Sequence, residues 1–495
     1  MPTSSIPPRT PSNSGGAKAV RRLVLAALTV AVAAGCGLSR GSPSPSLAPS
    51  GVTTTSTTAK AVAAYAAGGR LTEALGGGVT REVGASGQAA DPSWSYDGAW
   101  LSYTCQSSPT PSECSTTQGG FAAHPPPQRC GGLLLPPGPP SVHVVRADGS
   151  GDHAVAGAES PVEWSPSADV LAFTTQSGAA LQIAAADGLA TDLVKAGGGS
   201  IESFVWSHDG TALAYALHSA DPSTADQVFS VAADGSRYQR WPYVPPEHAG
   251  IILAGWWPDG TGILAWPDPD HSASIAADGL PLVSVRLAGG PAQTLATTLP
   301  YRPWVRWSPD GRSVAVVAGA GREPWQAKSL AVCSVPGGGC TPVPQAPGTV
   351  SVDPAWSPDG SRIAFVRAPE HGSPGAGADF GSWYPSRRLW VTGPGGADAH
   401  EVPGAASGVA APAWSRDGGS LGYSTGSSVN SVPATGGSAA QVAGPLSGGP
   451  APGWPLIGKA PWTGLAAWAP SWRSVGAVPT LRGRPRPRVR LPGGF

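Results

Sequence analysis

Apolar and polar positions alternate in short runs along most of the chain, and each run is soon broken by Gly, Pro or Asp. Alternation with a period of two marks a half-buried strand, so runs this short between turn formers predict an all-β chain of many strands. One unit recurs: a Trp, a Ser-Pro-Asp-Gly-like turn and an alternating strand. Its copies are "PSWSYDGAWLSY" (Trp94), "VEWSPSADVLAF" (Trp164), "FVWSHDGTALAY" (Trp206), "AGWWPDGTGILAW" (Trp256), "VRWSPDGRSVAV" (Trp307), "PAWSPDGSRIAF" (Trp356) and "PAWSRDGGSLGY" (Trp414). An eighth copy, "AAWAPSWRSVGAV" (Trp468), has lost the Asp-Gly. The Trp-to-Trp spacings are 70, 42, 50, 51, 49, 58 and 54 residues, a period near 50 that predicts a propeller.

Each part of the copy has a physical task. Pro in the second place of Ser-Pro-Asp-Gly presets φ for a type I turn, and Gly in the fourth takes the backbone geometry that follows, so the chain reverses tightly. The Trp before the turn is large enough to wedge between neighbouring sheets, where its burial contributes about 3 kcal/mol. The aspartates Asp97, Asp209, Asp259, Asp310, Asp359 and Asp417 recur at one position, which reads as turn hydrogen bonding rather than an active site. Most copies have a second half, such as "LQIAAADGLATDLV" or "VFSVAADGSRYQRW", with a strand, a Gly-containing turn and another strand. The halves give four strands per repeat, the blade of a β-propeller. This pattern resembles the TolB-type (WD40-like) propeller repeat over roughly residues 80 to 490. Counting copies favours a single propeller of eight blades; seven result if the Trp468 copy is no blade. "REVGASGQAADPSW" (Arg81 to Trp94) resembles "HEVPGAASGVAAPAW" (His400 to Trp414), so an N-terminal outer strand is expected to pair with the C-terminal inner strands and close the ring.

The N-terminal region has a different character. Arg21 and Arg22 precede the apolar run "LVLAALTVAVAAG", which ends at Cys36. The run is short for a membrane span and ends in small residues, as a cleaved export signal does. The arginine pair also matches a twin-arginine signal loosely. Ala33 to Cys36 resembles a bacterial lipobox, with Ala33 where a larger aliphatic residue is usual. That resemblance implies lipidation of Cys36 and anchoring at the outer face of the cytoplasmic membrane. The Ser-, Thr-, Pro- and Gly-rich stretch behind it reads as a solvated tether. The expected organisation is a signal peptide over 1–35, a lipid-anchored linker over 36–78 and a propeller over 79–491.

Export permits disulfides. Cys333 and Cys340 in "CSVPGGGC" flank a Gly-rich turn and are expected to face each other across a hairpin. Cys105, Cys114 and Cys130 surround a Pro-rich insertion; two of them are expected to pair, leaving one over. No Cys-x-x-Cys spacing and no i, i+4 histidine pair occurs, so no metal site or cofactor is expected.

Composition agrees with short strands and turns: Gly 69 and Pro 55 make a quarter of the chain, while 41% hydrophobic residues and 19 Trp suffice to bury a core. The formal net charge of zero provides no field for nucleic acid. Alternate Arg and Pro near the C-terminus (Arg482, Arg484, Arg486, Arg488, Arg490) cannot form a helix and read as a solvated tail or edge strand. Two stretches resemble chemical motifs. "GYSTG" (Gly422 to Gly426) fits a nucleophile elbow around Ser424, but it aligns with a propeller strand and no helical pattern follows. "PDPDH" gathers Asp268, Asp270 and His271 in a Pro-broken loop, read as solvated rather than cation-binding.

With no catalytic residues expected, the chain reads as a non-enzymatic, extracytoplasmic, lipid-anchored propeller that binds or scaffolds an envelope protein partner. The TolB resemblance implies work in envelope complexes. Twenty-six Arg against five Lys fit a GC-rich, actinobacterial genome, where propeller lipoproteins can accompany sensor kinases. The alternatives are a propeller-based carbohydrate-active enzyme and a small-ligand sensor. The insertion between Cys105 and Cys130 is the expected partner-contacting element.

Overall fold

The computed structural model describes residues 60–471 apart from 68, 76–77, 85–87, 107–110, 114–128, 135–139, 160–161, 222, 338, 373–379 and 447–465. The side chains of 111–113, 129–134, 176 and 380 are also outside this description, as are the leader, Cys36 and the C-terminal arginine run. Eight four-stranded antiparallel sheets form the blades of a propeller ring, here numbered I to VIII from the Trp94 copy. The seven-bladed count therefore falls.

Every inner strand ends on the repeat Trp. These strands are Gln88–Trp94, Glu163–Trp164, Ser200–Trp206, Gly250–Trp256, Val305–Trp307, Thr349–Trp356, Ala410–Trp414 and Ala466–Trp468. In six of them the indole N–H reaches back to the preceding blade. Trp164 donates to the Ser93 carbonyl at 3.2 Å, Trp206 to Glu163 at 3.1 Å, Trp256 to Val205 at 3.1 Å, Trp356 to Arg306 at 2.9 Å, and Trp414 to Ala355 at 3.0 Å. Trp94 donates to Ala467 at 3.0 Å and so links blade I to blade VIII. In each case the acceptor is the residue immediately before the neighbouring copy's Trp. The repeated Trp thus fills a seam and also fixes the register of one blade against the next.

The turns after the Trp stack as well. Gly98, Gly360 and Gly418 have φ of +77°, +72° and +72°, and a methyl group added to them would touch the rings of Pro470, Pro309 and Pro358 in the preceding blade. Buried apolar side chains collect at the seams, for example Trp100, Val144, Leu171 and Phe173 between blades I and II, or Ile251, Leu253, Val205 and Ala214 between III and IV.

Ring closure differs from expectation in its division of labour. The outer strand Thr80–Val83 does belong to the closing blade, but Ala63–Ala67 and Arg70–Ala74 join it there. The C-terminal part contributes the inner strand Ala466–Trp468, with Ala64 opposite Ala467. The assignment of 36–78 wholly to a linker is thereby corrected: the propeller begins near residue 63. An Ala-rich stretch has neither the β-branched residues nor the alternation that marks a strand, yet Ala63, Ala64 and Ala74 are fully buried where the strands of blade VIII pack tightly. Among the described residues no helix is long and apolar enough to cross a membrane.

Candidate functional site

The two faces of the ring are unlike. One carries the Trp-motif turns and the short outer hairpins. The other carries the loops between second and third strands together with the blade-to-blade crossovers. Among the described residues these connections include the short step from Ala67 to Arg70 in blade VIII, 425–428 in blade VII, the helix Ala273–Asp278 in blade IV and Phe380–Ser386 in blade VI, and in blade I residues 107–140 separate the second strand from the third. That insertion contains a two-stranded sheet, Pro111–Glu113 with Arg129–Leu134.

One arginine joins the inner strands of several blades. Arg302, in the turn before the inner strand of blade V, donates Nε to the Leu253 carbonyl at 2.9 Å and Nη2 to Phe204 at 2.7 Å, and Nη1 pairs with Glu163 Oε1. These partners sit on the inner strands of blades IV, III and II. Desolvation draws the Arg302 guanidinium down to about 10, so it remains a cation at neutral pH.

On the loop face, blades III and IV bring together a second polar group. The second strand of blade III, Ala212–His218, and its third, Gln227–Ala232, pair Leu217 with Gln227, which leaves His218 and Asp226 opposite each other at the mouth of the loop. Asp226 is 1% exposed. Its Oδ1 lies 2.9 Å from His218 Nδ1 and 3.3 Å from His271 Nε2, while Oδ2 accepts the Ile251 N–H at 2.9 Å. The two imidazoles meet edge to face, with ring centroids 4.2 Å apart. Pro269 ends the second strand of blade IV, Gly262–Asp268, and Asp270 and His271 then take positive φ, which turns the His271 ring back over Gly250. A Cβ on Gly250 would stand 2.7 Å from His271 Nδ1. Burial raises the Asp226 carboxyl above the ordinary aspartate range, against the pull of His218, Ile251 N–H and His271. It also raises Asp268, whose Oδ1 is buried without a hydrogen-bond partner.

"PDPDH" is therefore not one solvated loop. Asp270 is exposed, but Asp268 is buried and His271 joins residues of the neighbouring blade. Sequence reading missed His218 and Asp226 entirely, since only blade packing brings them to His271. Ser424 closes the strand Ser420–Ser424, is buried, and donates to the Ala410 carbonyl at 3.3 Å; no helix follows it among the described residues. The turn aspartates accept locally: Asp310 Oδ1 from Ser308 Oγ at 2.6 Å and Arg312 N at 3.1 Å, Asp359 Oδ1 from Ser357 Oγ at 2.6 Å and Ser361 N at 3.0 Å. Cys333 and Cys340 are disulfide-bonded between paired strands of blade V. Cys105 is disulfide-bonded too, while Cys114 and the Cys130 side chain lie outside the described residues.

No known family profile matches the sequence, and no curated protein matches it. Several solved structures are similar to parts of it. TolB from Acinetobacter baumannii is similar over 52% of this chain and 58% of that one, at 14% identity and a TM-score of 0.31. A puromycin hydrolase is similar over 74% of this chain and 55% of its own, at 15% identity and 0.43. A eukaryotic initiation factor is similar over 82% and 87%, at 13% identity and 0.45. This chain spans little more than half the length of the first two. TolB proteins stand among the solved structures to which this chain is similar.

Proposed function

We propose that the chain is a binding module of the cell envelope, tethered through a lipidated Cys36 to the outer face of the cytoplasmic membrane and offering its loop face to a protein partner. The observation that carries this reading is the contrast between the faces. One is stitched from short, near-identical turns, and the other gathers the long loops that differ from blade to blade, where binding residues are usually placed. The apolar leader ending at Cys36 supports the location.

The test places photo-crosslinking residues at Val244 and Ile275, exposed on the loop face, and at Leu189 and Val79, exposed on the turn face, of the full chain in its native envelope. One protein captured from the loop-face positions alone supports the proposal. Equal capture from both faces, or none, overturns it. Loss of membrane association in Cys36→Ala, and processing blocked by globomycin, would establish the anchor separately. The carbohydrate-active alternative is favoured only by the partly exposed His218–Asp226–His271 group, and turnover of a glycan panel would be its signature.

A further inference from the structure

We propose that His218 Nδ1, His271 Nε2 and Asp226 Oδ1 form a binding site for one divalent transition-metal ion of zinc's type. This goes beyond the protein-binding reading and does not depend on it.

The donors are two imidazoles and one carboxylate, a set that suits zinc and its neighbours far better than magnesium or calcium. Bonds of about 2.0–2.1 Å at tetrahedral angles place neighbouring donor atoms about 3.3 Å apart. Here they lie 2.9 Å and 3.3 Å from the shared carboxylate oxygen, and all three are within 4.8 Å of one another. An ion entering the group needs only a few tenths of an ångström of opening at His218.

The surroundings have the features a metal centre requires. The Ile251 N–H holds Asp226 Oδ2 and leaves Oδ1 directed at the two rings, the kind of outer contact that orients a ligating carboxylate. Gly250 makes room for the His271 ring. Asp268 is an independent sign that a cation belongs here: it is 8% exposed, its Oδ1 has no hydrogen-bond partner, and it lies within electrostatic reach of both His271 and Asp226. Two carboxylates buried within electrostatic reach of each other repel unless positive charge stands between them, and a divalent ion bound to the group provides that charge. The His218 and His271 side chains are 27% and 31% exposed, so the ion would keep a solvent-facing coordination position.

The full chain, stripped with EDTA and dialysed, is titrated with Zn2+ against a chromophoric chelator. One equivalent of tight binding is expected. His218→Ala and His271→Ala should each weaken it at least tenfold, and Asp268→Asn, which removes a nearby buried carboxylate without touching a ligand, should weaken it by a few-fold. Absence of stoichiometric zinc, or undiminished binding by the double histidine variant, overturns the proposal and leaves Asp226 as a hydrogen-bond acceptor between two imidazoles. Should a variant fail to fold, Co2+ in the wild-type chain decides the matter. Two paramagnetically shifted, exchangeable ring N–H resonances support the site, and their absence overturns it.

Discussion

Arg387 is fully buried, with its guanidinium over the rings of Trp383 and Tyr384 at 5.2 Å and an ion pair to Asp353. Asp353 Oδ1 also accepts the Trp304 indole N–H at 2.8 Å, so one carboxylate ties blade VI to the approach into blade V. Removing one partner of a buried pair strands the other charge, and Asp353→Asn should cost about 3 kcal/mol in urea unfolding. The turn aspartates act more weakly but act together. Hydroxyl donors at Ser308, Ser357 and Ser415 hold the Asp310, Asp359 and Asp417 carboxyls below the ordinary range, Asp359 at about 2. A carboxyl depressed on folding adds stability that is whole above about pH 4 and lost as the pH falls through the folded value. The urea midpoint should therefore drop between about pH 4 and 2, and Ser357→Ala should flatten that drop. These aspartates were legible in the sequence because their partners lie two residues away. Asp226 was not, because its partners come from separate loops of two blades.

At the level of the element, the Trp copies provide the sharpest comparison. Trp356→Phe keeps most of the apolar body but removes the bond to the Arg306 carbonyl, so it should cost about 1 kcal/mol. Trp356→Ala also removes the half-buried ring from the seam and should cost more, about 2–3 kcal/mol. Equal losses from the two substitutions would mean that the hydrogen bond, not the volume, holds the blades together. Repetition made this element readable. A Trp followed by a turn and an alternating strand appears eight times, with Pro and Gly both in place in the Trp256, Trp307 and Trp356 copies, and that recurrence separates it from chance. The strand Ala63–Ala67 had no such signal, since alanine there answers to close packing against Ala466–Trp468, a partner some four hundred positions away. The helix Ala273–Asp278 was equally hidden, being one short turn capped by Ser272 and ended by Gly279.

Over the whole molecule, stability depends on whether the ring is shut. Ala64 and Ala467 are paired neighbours in the closing blade, and cysteines at both would link strands from opposite parts of the chain. A disulfide there encloses nearly the entire propeller and should raise stability by up to about 5 kcal/mol, visible as a higher melting temperature under oxidising than reducing conditions. No change would mean that the two strands already stay close in the unfolded chain, or that strain in the bridged native state cancels the gain. Circular shape was readable from the period; where the chain crosses its own seam was not.

The way blade VIII is assembled also sets a timetable for synthesis. Its three outer strands leave the ribosome before the other described strands of the propeller, and their inner partner leaves after them. At about 5–20 residues per second, the intervening four hundred residues take roughly 20–80 s, during which the Ala63–Ala67 edge has no strand to pair with. An edge of valines and isoleucines held open that long would recruit other chains. Alanine is a poor β-former and a weak hydrophobe, so the composition that conceals this strand from pattern recognition also makes it a safe edge to leave waiting.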